Sequence, residues 1–323
     1  MHILTGQTRG LEFGEEAVDL QQTPGDIVIL TAADTEIAAL AAARRSLPDG
    51  FASVRLANWM MLAHPYSVDL YGERVLSGAR LIVLRLLGGV SYWRYGVEEA
   101  LRIGRQSGIP VAIQPGDANW DAGLAGQGTL PPEQAELLFR YFSQGGADNL
   151  RNALRYCCHV IGAGPRPDRP EELPTAGFYQ WPGAASCEAK QNDCAAIVFY
   201  RALVQAAQAE PVDALCEALS ERGIRPLPIF VSSLKSTPDA QFLKGVFEDT
   251  DPAVVLNATA FALSKAGSSF AGTVLDDNRR PVHQVTFAGI GEEDWAESNQ
   301  GLSPKDLTMN VVLPELDGRI ISR

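Results

Sequence analysis

Short apolar runs alternate with helix-period stretches along this chain, and that rhythm leaves few folds open. "DIVILTAAD" (26–34) is an apolar run that ends in small and acidic residues. A parallel strand covered on both faces reads this way, because neither face can be polar. "TEIAALAAARRSL" follows, with Thr35 as the expected helix cap and an Ala/Leu stripe behind it. "SVRLAN" (53–58), "RLIVLRLLGG" (80–89) and "PVAIQPGD" (110–117) read as further strands. Helices are expected over 64–79 and 91–108, the second stopped by Gly108. The β-α rhythm implies a mostly parallel sheet covered by helices.

A long helical stretch runs from Pro132 to Ile161, with a break expected at "QGGADN" (144–149). Then "GAGPRPDRPEELPTAG" (162–177) is rich in Pro, Gly and charge and has no period, which reads as a linker. The rhythm resumes after it. Strands are expected at 195–200, 224–233, 253–261 and 281–289, and helices at 209–223 and 237–249. The segment 303–320 reads as helix turning into extended chain. The expected fold class is therefore α/β: two Rossmann-like units with mostly parallel sheets covered by helices. The expected division is 1–161 for the first unit with its C-terminal helical segment, 162–177 for the linker and 178–323 for the second unit. The close "ELDGRIISR" reads as a strand just beginning, so the second unit is expected to continue past Arg323.

The formal net charge of −12 sets this chain against nucleic acid and anionic membrane surfaces, since phosphates repel it and no basic patch offsets the repulsion. No apolar stretch reaches the roughly 18 residues of a membrane span, and the N-terminus lacks a signal-peptide pattern, so a cytoplasmic location is expected. The five cysteines are odd in number and form no C-x-x-C pair, which indicates neither a zinc ribbon nor a redox motif.

Long stretches of the chain resemble a known family. They include "TPGDIVILTAADTEIAALAAARR", "LANWMMLAHPYSVDLYGERVL", "LIVLRLLGGVSYWRYGVE", "RGIRPLPIFVSSLK", "VVLNATAFA" and "GLSPKDLTMNVVLPELDGRI". The resemblance runs in order from residue 14 to the last residue. It is to the N-terminal part of the aerobic-type cobaltochelatase large subunit, in the cobaltochelatase/magnesium chelatase large-subunit family. It implies insertion of Co2+ into hydrogenobyrinic acid a,c-diamide during cobalamin biosynthesis, coupled to ATP hydrolysis. It implies two smaller partner subunits that form an AAA+ motor complex. Cobalt and ATP are then used by the full complex, with no cofactor bound by this segment. One reading of the residues agrees independently. No Gly-Lys pair occurs anywhere, so a phosphate-cradling P-loop is missing.

Metal insertion needs a held macrocycle, a base for the pyrrole protons and ligands that strip water from the ion. The four histidines, His2, His64, His159 and His283, are far apart and form no H-x-x-x-H or H-x-x-E pair. The chelation centre is therefore not expected in this segment. "CCH" (157–159) lies on an expected helix, where adjacent side chains diverge by about 100°, so packing is the favoured reading over metal.

The substrate-binding candidates are Arg201, Ser232, Ser233, Lys235 and Asn257, which end expected strands of the second unit, together with Asp34 after the first strand. If the second unit's strands are parallel neighbours, the five gather at one sheet edge, where open α/β sheets bind ligands. Arginine forks match carboxylates, and hydroxyls and amides match carboxylates and amides alike. The competing reading is that Arg201 and Lys235 pair with local acids, that Asn257 ties a loop and that Asp34 caps a helix. His64 is expected to cap its helix. Tyr92, Trp93 and Tyr95 could stack on a macrocycle, with packing the commoner use. Two rival functions remain: a scaffold that docks the motor subunits, and a magnesium chelatase large subunit acting on protoporphyrin.

Overall fold

In the computed structural model, residues 16–184, 194–259, 274–275, 280–288, 291, 295–296 and 307–312 are described. The chain divides into two compact units, Met1–Leu173 and Pro174–Arg323.

The first unit runs β1 (Ile27–Thr31), α1 (Asp34–Arg45), β2 (Val54–Asn58), α2 (Pro65–Arg74), β3 (Leu81–Leu86), α3 (Arg94–Ser107), β4 (Val111–Pro115), α4 (Ala122–Ala125), α5 (Pro132–Gln144) and α6 (Ala147–Val160). Its sheet has the order β2-β1-β3-β4, parallel throughout. Every residue of β1, β3 and β4 is buried, which is why these strands read as unbroken apolar runs. Alternate residues serve opposite cores. Val28, Leu30, Ile82 and Leu84 pack with Val68 and Tyr71 of α2 and Val97 and Ala100 of α3. Ile27, Ile29, Leu81 and Val83 pack with Leu40 of α1, Leu138 of α5 and Leu154 of α6.

The helix ends follow local chemistry. His64 caps α2 as expected: its Nδ1 accepts from the Tyr66 N–H at 3.1 Å. Thr35 does not cap α1. Ala33 holds the cap position without a side-chain bond, and the Thr31 hydroxyl accepts from the Ala33 N–H instead. The break between α5 and α6 falls at Gly145 and Gly146, with φ of 65° and 83°, a backbone that other residues resist.

The stretch 162–173 is not free chain. The Asn149 side chain bonds both the carbonyl and the N–H of Glu171, the Tyr141 hydroxyl donates to the Asp168 carbonyl, and the Leu173 N–H donates to Gln144. Side chains of α5 and α6 thus bind its backbone, which supplies donors and acceptors whatever its side chains are.

The second unit runs β5 (Ala176–Phe178), β6 (Cys194–Tyr200), α7 (Arg201–Gln205), α8 (Glu210–Glu221), β7 (Arg225–Val231), α9 (Thr237–Thr250), β8 (Val254–Asn257) and β9 (Val282–Gln284). The strand order is β5-β7-β6-β8-β9, with β5 antiparallel and the others parallel. Strand β5 lies partly in the stretch expected as linker, and three residues of "AGF" are too few to show a period. Its partner accounts for its shortness. The Pro228 carbonyl accepts from the Tyr179 N–H, so the nitrogen of Pro228, and by the two-residue period that of Pro226, faces the β5 side. Prolines lack the donor a longer ladder would need. One core joins Ala196, Val198, Ile229 and Val231 to Leu243, Val246 and Phe247 of α9.

The strand expected over 253–261 is observed at Val254–Asn257, and that over 281–289 at Val282–Gln284; residues 260–261 and 289 lie outside the described residues. Within 303–320 a helical turn at Thr308–Val312 is described. His2, Cys187 and the strand expected at the C-terminus lie outside the described residues.

Candidate functional site

Strands β7, β6 and β8 are parallel neighbours, with Tyr200 beside Val231 and Val198 beside Asn257. Their carboxyl ends therefore leave the sheet on one side. Arg201 follows β6, Ser232 and Ser233 follow β7, Lys235 lies in the loop from β7 to α9, and Asn257 ends β8. The topology brings the five expected residues to one edge, but it uses them differently.

Arg201 opens α7, and its Nε donates to the Pro174 carbonyl at 2.8 Å. Burial pushes its pKa down, and the Asp239 carboxylate opposes that shift. Ser232 grips the next carbonyl: its N–H and its hydroxyl donate to Thr175 O at 2.7 and 3.0 Å. Arg201 and Ser232 together therefore pin the backbone that leads into β5. The Ser233 hydroxyl accepts from the Lys235 N–H at 3.1 Å, and Lys235 itself is exposed.

Asn257 is not presented to a ligand. It is 0% exposed and locked into a buried amide network. Its Nδ2 donates to Gln284 Oε1 at 2.9 Å, and its Oδ1 accepts from the Thr259 hydroxyl at 2.8 Å. Gln284 Nε2 closes the network on the Thr259 carbonyl at 2.9 Å. Each amide is satisfied by the other two residues, as burial of a polar group requires.

Asp239 was not among the expected residues. It sits in the first turn of α9, is 1% exposed, and its Oδ2 accepts from the N–H groups of Ser232 and Ser233 at 2.9 and 3.1 Å. The signal was present as Ser236-x-x-Asp239, the spacing of a helix-capping pair. Ser236 does cap α9, but the aspartate reaches back to the preceding turn. The edge thus carries two cations, two hydroxyls and a buried carboxylate, a set suited to a ligand rimmed with carboxylates and amides.

In the first unit, Asp34 is the first residue of α1 rather than its cap, and its exposed carboxylate accepts from Asn58 Nδ2 at 2.8 Å. Trp93 is buried, donates to the Leu62 carbonyl and stacks on Trp59 with centroids 5.9 Å apart, so it offers no face to a macrocycle. Tyr92 and Tyr95 are 69% and 44% exposed. Sequence reasoning also missed Arg85, which lies within apolar β3. Its Nε donates to Glu36 Oε1, its Nη1 donates to the Pro115 carbonyl, and its guanidinium lies 4.8 Å from the Phe142 ring centroid. On α6, Cys157 and Cys158 are buried while His159 is exposed, so the three do not converge. Burial raises both thiol pKa values. Among the described residues no three of His, Cys, Asp and Glu form a group that could hold a metal ion.

Residues 139–323, more than half of the chain, match the family model described as CobN/Magnesium Chelatase. The aerobic cobaltochelatase subunit CobN of a Sinorhizobium species is 41% identical, over 100% of this chain and 26% of the relative. The subunit of the same name from Pseudomonas aeruginosa is 38% identical over the same shares. A magnesium-chelatase subunit of Cereibacter sphaeroides is 27% identical, over 56% of this chain and 17% of that protein. Among solved structures, the catalytic subunit of cobaltochelatase from Mycobacterium tuberculosis superimposes with a TM-score of 0.68 at 25% identity, covering 92% of this chain and 24% of that one. The chain thus spans about a quarter of the length of the CobN relatives it matches. A family match over more than half of the sequence, with a like fold beneath it, shows that the chain belongs to the CobN/magnesium chelatase family.

Proposed function

We propose that this chain is the head portion of the tetrapyrrole-binding large subunit of an ATP-dependent cobaltochelatase. That enzyme inserts Co2+, its substrate, into hydrogenobyrinic acid a,c-diamide in cobalamin biosynthesis. The observation that carries the reading is identity of 41% across the whole chain to a CobN subunit, against 27% across 56% of it to a magnesium-chelatase subunit. In this reading the head does not insert metal alone, and ATP is hydrolysed by two smaller AAA+ subunits, since this sequence has no P-loop lysine. No helix among the described residues is long and apolar enough to cross a membrane, and we place the complex in the cytoplasm.

The edge of the second sheet supplies the contact chemistry. Arg201 and Lys235 meet carboxylates, and Ser232 and Ser233 meet carboxylates or amides at the macrocycle rim. A second reading is favoured by the inward bonds of Arg201 and Ser232 and the burial of Asn257: the head is a scaffold that docks the motor subunits. Titration of the chain with metal-free hydrogenobyrinic acid a,c-diamide separates the two, followed by tryptophan quenching and corrinoid absorbance. Saturable binding that weakens in Arg201→Ala supports substrate contact. No binding removes the contact and leaves the scaffold.

A further inference from the structure

Residues 18–24 lie as an irregular strap between α2 and the open edge of β2. Ser67, Tyr71 and Arg74 share one face of α2 by the helical period, and each binds a strap residue. The Val18 N–H donates to the Ser67 hydroxyl at 2.7 Å, the Tyr71 hydroxyl donates to Gln22 Oε1 at 2.8 Å, and Arg74 Nη1 donates to Asp19 Oδ2 at 2.6 Å. Leu20 packs against the core beneath α2. On its other side the strap meets β2 through side chains. Gln22 Nε2 donates to the Leu56 carbonyl at 2.9 Å. Arg55 Nε and Nη2 donate to the carbonyls of Thr23 and Pro24 at 2.7 and 2.9 Å, and its Nη1 donates to the Val54 carbonyl at 3.0 Å.

These bonds fall on the groups a further strand would need. The Ser53 carbonyl accepts from the Ile27 N–H of β1, so by the two-residue period Val54, Leu56 and Asn58 turn their N–H and carbonyl groups away from the sheet. Strand β2 is at the edge, where such a row is a template for pairing with another chain. Arg55 and Gln22 occupy the Val54 and Leu56 carbonyls of that row. The strap itself is no strand, since Gln21 has φ of 52° and Pro24 has no N–H to donate. It covers the edge without joining the ladder. The row is also complementary to itself. Antiparallel pairing of two copies about Leu56 sets Leu56 opposite Leu56, Val54 opposite Asn58 and Arg55 opposite Ala57. Every outward group then finds a partner, and the two arginines do not meet. We propose that residues 18–24 are a guard strap: in place it closes the β2 edge, and lifted it opens that edge to strand pairing with a second copy of this chain.

Gln22→Ala combined with Arg55→Ala removes both side chains that cap the edge and leaves the buried core residues unchanged. Sedimentation velocity of the 323-residue chain is read over a concentration series. The double variant is expected to self-associate about tenfold more tightly than the parent. Adding Leu56→Pro removes an outward N–H and no bond to β1, so association is expected to fall back to the parent's level. Urea unfolding shows that each variant compared is folded. If the double variant does not fold, Gln22→Ala alone, which frees the Leu56 carbonyl, goes through the same series. Sedimentation unchanged from the parent in the folded variant overturns the proposal. Association that persists with Leu56→Pro overturns it too, since the contact would then lie away from this edge.

Discussion

Arg85 and Glu36 form an ion pair of 2.8 Å inside the first unit, with side chains only 4% and 14% exposed. The arginine belongs to the strand and the glutamate to the first turn of α1, so the pair fastens α1 to the sheet. Removing one partner strands the other charge in a dry setting. Glu36→Ala is therefore expected to destabilise the first unit by about 3 kcal/mol. Arg85→Met strands the Glu36 carboxylate instead, which at 14% exposed keeps more water than the 4% exposed guanidinium does, and is expected to cost less. Native-state hydrogen exchange of the β1 and β3 amides reads both, and equal costs would contradict the account.

Asn257 sits at the site's edge in sequence and in the core in space. Asn257→Ala leaves Gln284 and Thr259 with broken bonds, at a cost of about 1–3 kcal/mol. The folded fraction is expected to bind hydrogenobyrinic acid a,c-diamide as the parent does. Thermal unfolding and the same titration check the two halves. Lost affinity in fully folded protein would return Asn257 to the substrate.

Gly88 has φ of +83°, and a Cβ there would lie 2.5 Å from the Tyr92 ring. Gly88→Ala is expected to cost about 1–3 kcal/mol through backbone strain and the clash together. Adding Tyr92→Ala removes the clash and not the strain, so the double variant is expected to recover only part of the loss. Full recovery in urea unfolding would show that the backbone angle costs nothing.

Asp26 gives the first unit an acid-sensitive anchor. The Ser53 hydroxyl donates to its carboxylate, as does the Ser53 N–H at 2.8 Å, and Arg80 adds an attractive charge; together these lower its pKa. A depressed carboxylate adds stability that is fully present above its unfolded pKa, about 3.9, and is lost as pH falls through the lower folded value. Asp26→Asn is expected to reduce the melting temperature at pH 7 and to approach the parent as the pH falls below the unfolded value of about 3.9. A constant offset across that range would show that the titration contributes nothing.

Cys157 and Cys158 are buried thiols with raised pKa values. The thiolate is the reactive form, so both are expected to resist iodoacetamide at about pH 8 in the native chain and to react in urea. Peptide mass spectrometry reads each position separately. Native labelling of Cys157 would contradict its burial.

Much of the first unit was legible because its strands are covered on both faces. "IVIL" (27–30) and "LIVL" (81–84) meet a core on either face and are apolar throughout, and the helices between them carry a period their burial enforces. The break at Gly145–Gly146 and the cap at His64 were legible for a local reason, since turn and cap chemistry act within a few residues. Strand β5 was not, because three residues hold no period and its pairing is set by β7. Packing was the favoured reading for Tyr92, Trp93 and Tyr95, but which of them packs inward was not legible, since Trp93's partners Trp59 and Leu62 lie more than thirty residues away.

The candidate site divides along the same line. Residue order alone placed Arg201, Ser232, Ser233, Lys235 and Asn257 at strand ends, and parallel pairing brought those ends to one edge. Whether a strand-end side chain faces solvent or core was decided elsewhere. Asn257 went inward because Gln284, twenty-seven residues on, arrives beside it on β9. Arg201 was drawn to Pro174, and Asp239 to the turn behind it. By itself the sequence determined the longer strands and helices and the family, since periodicity and motif are properties of neighbouring residues. Only the tertiary structure decided which polar groups are already satisfied, because a buried hydrogen bond needs a partner that folding brings in from far along the chain.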